Sequence, residues 1–265
     1  VYKIYGLGSN GRHMGRREFL LGKGMTLAAS QDMWYQYLRQ LGFNGSTRDM
    51  LREYLAFLTP DKWAGLKAWY KFNQGITVTG AGVSTWADQS GNGNDLLQAT
   101  DTNRPSKEVD GSILFDGVDN YLKADPFTLV QPETIYVLGK QVTWVVNDRW
   151  FDGNTVNSGS LDQKSLTPEL NLFAGNFLTN PVSLTLDTYA VVTSVINGAN
   201  SVLQVDNGTP STAGNSGATN MGGLTVGARG DIAGFGNVQI KEVIVYNEAH
   251  DATTRTKVIA YLNGL

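Results

Sequence analysis

Residues 83–96 read VSTWADQSGNGNDL, and residues 111–122 read GSILFDGVDNYL. Each stretch places a β-prone, aromatic segment beside a turn rich in Gly, Asn and Asp. These residues accept positive φ angles, and Asp and Asn side chains bond nearby backbone N–H groups, so both turns can be tight. We therefore expect Trp86, Phe115 and Tyr121 to lie in a core that the two turns organise.

The chain from residue 66 onward continues this pattern of short apolar strands between Gly and Asn turns. Many short strands of this kind indicate an antiparallel sandwich or barrel. Polar stretches at 147–168 and 207–222 predict long surface loops, and Ala249 to Leu262 predicts a closing helix. The predicted strands are 68–72, 76–78, 112–116, 120–124, 133–139, 142–146, 169–174, 182–186, 189–196, 201–206, 223–227 and 238–246.

The first quarter of the chain has a different character. Residues 1–24 are broken by glycines and predict an extended arm. Residues 25–65 predict a helical docking segment, because apolar side chains recur at helical spacing in two runs between 30 and 58. Two short helices cannot bury such aromatic stripes alone, so they dock on the β domain or on another protein. The candidate partner-docking residues are Arg12, Arg16, Arg17, Trp34, Tyr37 and Tyr54.

The two opening stretches also resemble a known family. The pattern W-x-D-x-S-G-N-G-N, the Arg104-Pro105 pair and the pattern F-D-G-x-D-x-Y-L are similar to those of the concanavalin A-like (laminin G-like) jelly-roll domains of tailed-bacteriophage virion proteins. The resemblance covers residues 66–265. It implies a mainly β protein, an antiparallel β-sandwich of the jelly-roll type, preceded by the arm and the helical hairpin.

The resemblance further implies a non-enzymatic accessory protein of the phage particle, in the head, neck, tail or fibre. Such a protein is made in the host cytoplasm and docks on other virion proteins through its N-terminal region. It would form a homo-oligomer, for which a trimer is one option, and its lectin-like sandwich could hold a host surface glycan weakly. Two alternatives stay open: a glycan-degrading enzyme and a bacterial surface lectin module.

Composition excludes several other classes of function. The 265 residues carry a net charge of −3 and only 17% charged side chains. A basic surface for nucleic acid is therefore not expected. The chain has no cysteine, which excludes disulfides and thiol catalysis. No apolar run approaches the roughly 18 residues that a membrane-spanning helix needs.

Glycoside hydrolysis would need two carboxyl groups at a fixed separation. The resemblance to sandwich glucanases implies Glu-x-Asp-x-x-Glu on one strand, but here the string that begins at Glu108 has Ile113 in its last position. A pair from separate loops stays open, for example Asp148 with Asp152. We expect no catalytic site.

Sugar binding is the remaining chemistry that the aromatic residues support. Aromatic rings stack on sugars, and Asn and Asp side chains bond their hydroxyl groups. Trp150, in a polar stretch, is the best candidate for an exposed ring, and Trp144, Tyr136 and Phe235 are further ones. The candidate carbohydrate-binding residues are Trp150, Phe151, Asp152 and Asn154.

A calcium site is the one cofactor that the sequence suggests. The two turns carry oxygen ligands of the kind that calcium prefers. The alternative is that these side chains only cap their own turns. The candidate ligands are Asp88, Asn92, Asn94 and Asp116.

Overall fold

The computed structural model describes residues 5–7, 13–15, 59–145, 147–164, 168–178 and 182–265. The chain divides into two compact units. One consists of Val1–Lys62 with Ala260–Leu265, and the other of Trp63–Ile259. In the first unit, strand β1 (Tyr5–Leu7) pairs antiparallel with β2 (His13–Gly15), within the segment predicted as an extended arm. The helical runs predicted between 30 and 58, and the six docking candidates, lie outside the described residues.

The second unit is built from short strands. In chain order they are β3 (Leu66–Tyr70), β4 (Ile76–Thr79), β5 (Gly82–Trp86), β6 (Leu96–Leu97), β7 (Ser106–Lys107), β8 (Ile113–Asp116), β9 (Leu122–Ala124), β10 (Glu133–Gln141), β11 (Arg149–Asp152), β12 (Ser160–Gln163), β13 (Glu169–Phe173), β14 (Val182–Ser183), β15 (Ala190–Ile196), β16 (Val202–Val205), β17 (Thr225–Val226) and β18 (Asn237–Tyr246). Helix α1 (Ala252–Leu262) follows β18.

The strands of the second unit form two antiparallel sheets that face each other. In the first sheet the order is β16-β15-β10-β18-β8-β7, and β3 also pairs with β18. In the second sheet the order is β14-β13-β12-β11-β17-β9-β6-β5-β4. Side chains from both sheets meet in one core, with Ile135 and Val243 from the first and Leu161 and Leu172 from the second. The predicted mainly β, antiparallel sandwich is therefore confirmed.

The two long central strands show why the sandwich forms here. On β10, Ile135 and Val137 point into the core, and Val243 and Val245 do so on the neighbouring β18. This alternation is the period of two that a strand requires. On this side of the strands Val137 pairs with Val243. A bulge at Lys241 then shifts the pairing, so that Gly139 pairs with Ile240.

The core positions predicted for residues 83–96 and 111–122 are confirmed in part. Trp86 and Phe115 are fully buried and belong to the same core cluster. Tyr121, expected beside them, is only half-buried. Its neighbour Leu122 points into the core in its place, because successive strand residues face opposite sides of a sheet.

Two boundary predictions are wrong. Residues 142–145 form no strand, and the predicted loop 147–168 contains β11 and β12. These two strands bury polar residues: Arg149 and Asp162 are paired across the strands and form a buried ion pair. A strand that contains buried charged residues looks like a loop in the sequence, because strands are recognised by apolar residues that alternate with polar ones, and charged residues are expected to face solvent.

Candidate functional site

The predicted sugar-stacking rings are not available at the surface. Trp150 is fully buried and Phe151 is 1% exposed. The Trp150 indole Nε1 donates to Gln141 Oε1 at 2.7 Å, so this ring is locked inside the sandwich. Asn154 is half-buried, and its carbonyl oxygen accepts a hydrogen bond from Lys123 Nζ at 2.9 Å. The interpretation of Trp150 as an exposed platform is therefore wrong.

The other aromatic residues that the sequence suggested for sugar stacking are wholly or partly buried as well. Tyr136 is fully buried and lies against His250. Trp144 is half-buried and packs on the core cluster, and Phe235 is half-buried. Tyr136 is therefore excluded as a surface platform, whereas Trp144 and Phe235 stay partly accessible.

Asp152 has a structural role. Its carboxylate accepts four backbone N–H groups: Gly153 at 2.8 Å, Gly159 at 3.2 Å, Asn157 at 2.7 Å and Gly230 at 3.1 Å. Burial raises the pKa of Asp152, and the four N–H groups oppose that rise. The side chain fastens the loop after β11 to the loop after β17, which leaves no oxygen for a ligand.

Asp148 is the other carboxyl that the sequence singled out. It is 2% exposed, and its Oδ2 accepts Gln141 Nε2 at 2.6 Å. Burial raises the pKa of Asp148 to about 6. Asp148 and Asp152 are both buried, and both carboxyl groups accept hydrogen bonds from within the sandwich, so neither is open to a glycan.

The candidate calcium ligands near Asp88 form a network of their own. Asp88 Oδ1 accepts the N–H groups of Trp69 and Ser90, both at 2.8 Å. Its Oδ2 accepts Ser90 Oγ at 2.7 Å and Asn94 N at 3.1 Å. The side-chain amides of Asn92 and Asn94 donate to the Lys67 carbonyl at 3.2 Å and 2.8 Å. This arrangement supports the turn-capping alternative.

Asp116, the fourth candidate ligand, lies elsewhere. It pairs with Asn237 on β18, whereas Trp69 beside Asp88 pairs with Ile244. Seven residues of strand separate these two registers, roughly 23 Å. Asp116 Oδ1 accepts the N–H of Val118 at 2.9 Å. Within the described ranges, no group of three or more His, Cys, Asp or Glu side chains is arranged to hold a metal ion.

A pocket of about 230 Å³ opens on the surface of the second unit. It lies where the chain enters β3 and where it leaves β18 for helix α1. Its residues are therefore far apart in sequence and adjacent in space. The lining residues are Trp63, Ala64, Glu248, Ala249, His250, Asp251 and Thr254.

The two walls of this pocket are held together by backbone geometry. Asn247 N donates to the Gly65 carbonyl at 2.8 Å. Gly65 has a φ of +78°, and a β-carbon there would come within 2.8 Å of Glu248 Cγ. A side chain at position 65 would be strained and would collide with the pocket wall.

Thr134 and His250 fix the loop that carries the carboxyl groups. Thr134 Oγ1 donates to the Glu248 carbonyl at 2.6 Å and accepts the His250 N–H at 3.1 Å. The His250 ring lies 4.3 Å from Tyr246, and its Nδ1 is 2.9 Å from Tyr136 Oη. Burial lowers the pKa of His250 to about 4, so the ring is neutral at pH 7.

The carboxyl groups point outward from this fixed loop. Glu248 and Asp251 are exposed, and Trp63 is half-buried. Asp251 Oδ1 accepts the Thr254 N–H at 2.7 Å and so caps helix α1. This bond holds the pKa of Asp251 below its ordinary value. The pocket thus combines one aromatic ring with two acidic side chains.

Sequence reasoning missed this pocket. Trp63 fell in the predicted docking segment, Glu248 fell between the last predicted strand and the closing helix, and residues 249–251 fell at the start of that helix. Only the three-dimensional pairing of Gly65 with Asn247 brings them together. A linear motif carries no signal for such a site.

Comparison with known proteins defines the fold. No family model matches the chain, and no curated protein matches it. Among solved structures, it is similar to Trypanosoma rangeli sialidase, with a TM-score of 0.53 and 13% identity over 76% of this chain and 33% of that one. It is also similar to an arabinofuranosidase complexed with arabinofuranosyl-α-1,2-xylobiose, with a TM-score of 0.54 and 13% identity over 68% of this chain and 50% of that one. The chain thus spans between a third and a half of these proteins.

These similarities correct the functional interpretation of the sequence. The expected non-enzymatic phage virion protein is contradicted, because the two solved structures named above are a sialidase and an arabinofuranosidase. The expected virion partners, the oligomer and the location in the phage particle are not tested by these similarities. Among the described helices, none is long and apolar enough to cross a membrane.

Proposed function

We propose that this chain acts in glycan degradation, as a glycoside-hydrolase β-sandwich that holds one sugar residue in the Trp63 pocket. The observation that carries the proposal is the pocket itself, whose lining includes a half-buried tryptophan and two exposed acidic residues. The likeness to sialidase and arabinofuranosidase supports it at the level of fold.

The lining suits a sugar. An indole ring offers a flat apolar face for the C–H side of a pyranose or furanose ring. Carboxyl oxygens accept hydrogen bonds from hydroxyl groups. The volume of about 230 Å³ admits one sugar residue and leaves the rest of a chain outside. The site therefore fits the end or a side branch of a glycan.

The two carboxyl groups also suit hydrolysis. Two residues lie between Glu248 and Asp251, so their α-carbons are at most about 11 Å apart. Both side chains line the pocket, and glycosidases use two carboxyl groups roughly 5–10 Å apart. Asp251, whose pKa the Thr254 N–H lowers, is the ionised partner. Glu248 supplies the second carboxyl group of the pair.

The test is a hydrolysis screen with matched variants. The wild-type protein is incubated with a panel of polysaccharides and aryl glycosides, and new reducing ends or released aryl groups are measured. We expect Glu248→Gln and Asp251→Asn each to lower the rate at least about 100-fold, as loss of general acid–base catalysis does. Both variants should fold, because glutamine is isosteric and asparagine also caps helices.

Asp116→Asn is the matched control, since Asp116 is an exposed carboxyl at the other end of β18. It should leave the rate unchanged. Full activity in Glu248→Gln would contradict the proposal. Binding without hydrolysis that Trp63→Ala abolishes would instead identify a lectin module, the second alternative from the sequence.

A further inference from the structure

The charge of the Trp63 pocket selects among sugars. The lining contains two acidic side chains, Glu248 and Asp251, and no lysine or arginine. The third titratable side chain, His250, is neutral at pH 7, because burial lowers its pKa to about 4. The pocket therefore presents a negative surface to whatever enters it.

Two nearby positive contributions offset this charge only in part. Arg255 lies beside the loop, but its Nε donates to Gln204 Oε1 at 2.9 Å and its Nη1 to the His250 carbonyl at 3.0 Å. Its guanidinium keeps its full charge, since both acceptors are neutral, but Arg255 is not among the lining residues. The N-terminus of α1 carries about half a positive charge, less than one carboxylate, and Asp251 already caps it.

We infer that the pocket takes a neutral or amino-bearing sugar and rejects sugars that carry a carboxylate, such as sialic acid. This inference rests on the proposed function and names its substrate class. It sets this chain apart from the sialidase of similar fold, one structure of which is in complex with sialic acid. An amino sugar would place its ammonium group between two carboxylates, and a carboxylate sugar would meet repulsion from both.

The experiment is a binding comparison on a glycan array that carries each core in matched forms. Lactose is paired with sialyllactose, and N-acetylglucosamine oligomers are paired with their deacetylated, amino-bearing counterparts. The strongest pair is then titrated by calorimetry at pH 7. We expect the carboxylate-bearing member to bind at least about tenfold more weakly than its neutral partner, because like charges this close repel strongly near a protein surface.

The variants assign that selectivity to the two carboxyl groups. In the double variant Glu248→Gln with Asp251→Asn, the difference between neutral and acidic members should fall to within about threefold, whereas Asp116→Asn should keep it. Equal or tighter binding of sialyllactose by the wild type would overturn the inference and leave the proposed function standing. Unchanged selectivity in the double variant would also overturn it. Absence of binding to every array member would instead count against the proposed function.

Discussion

The most unusual single residue of the sandwich is Glu133, a carboxyl group in the core. It is fully buried, and its Oε1 accepts the Met221 N–H at 3.1 Å. Its Oε2 has no hydrogen-bond partner among the described residues. Burial therefore raises the pKa of Glu133 to about 7 from an ordinary value of 4.5. A neutral, protonated carboxyl is the form that such a site tolerates.

A pH dependence of stability follows from this residue. Because the folded protein holds the proton more tightly than the unfolded chain, the stabilisation is complete below pH 4.5 and is lost as pH rises through about 7. The loss amounts to about 3 kcal/mol. We expect Tm to fall between about pH 4.5 and 7, and Glu133 to cause most of the fall above pH 6, because Asp148 titrates lower, with a pKa of about 6. Scanning calorimetry of wild type and Glu133→Gln measures this.

Glu133→Gln should remove most of that fall, since an amide does not titrate. His250 changes the stability with pH in the opposite direction. Its pKa is lowered to about 4, so its contribution is lost as pH falls below its ordinary value of 6.5. A Tm profile of Glu133→Gln that is as steep as that of the wild type above pH 6 would contradict the assignment.

At the scale of elements, the turn after β5 depends on Asp88. Its two carboxylate oxygens accept four hydrogen bonds and join β3 to the turn. We expect Asp88→Ala to cost about 2–4 kcal/mol, because it removes the shared acceptor of these donors. Urea denaturation of the two proteins measures the difference.

The same turn decides between the two interpretations of its acidic residues. If the carboxylate serves the turn, neither chelator nor added calcium should change Tm. Asp116→Ala is the matched comparison, since Asp116 is exposed and bonds only locally to Val118 in the described structure. A rise in Tm with calcium that Asp88→Ala abolishes would restore the metal-site interpretation.

The ion pair between β11 and β12 is a second test at this scale. Arg149 and Asp162 have side chains that are 7% and 3% exposed. Replacing Asp162 by Ala should cost about 3–5 kcal/mol, because Arg149 is left charged and buried. The double replacement Arg149→Met with Asp162→Leu should recover most of this loss, as apolar substitutes for buried pairs do. Additive losses in the double variant, measured by urea denaturation, would contradict this account.

At the scale of the whole molecule, the sequence predicts the architecture well and the site poorly. The sandwich follows from alternation in strands such as β10 and β18 and from turns such as the one at Asp88, all local signals. The buried Trp150 and the ion pair of Arg149 were missed, because polar neighbours resemble a surface loop. The pocket was missed because Trp63 and Glu248 meet only through tertiary pairing. Whether the docking candidates, Trp34 among them, bind another protein stays a prediction.

The conformation of Gly65 constrains how the pocket can change in evolution. Its backbone conformation disfavours most other residues, and a β-carbon there would displace Glu248 Cγ from the pocket wall. Related proteins that retain the pocket should thus keep the motif Trp-x-Gly at positions 63–65 and the motif Glu-x-His-Asp at positions 248–251. Those that lose the pocket should lose both motifs together. Homologues whose sequences are too different to align can be searched for these two motifs. A chain that contains both should share the pocket as well as the sandwich.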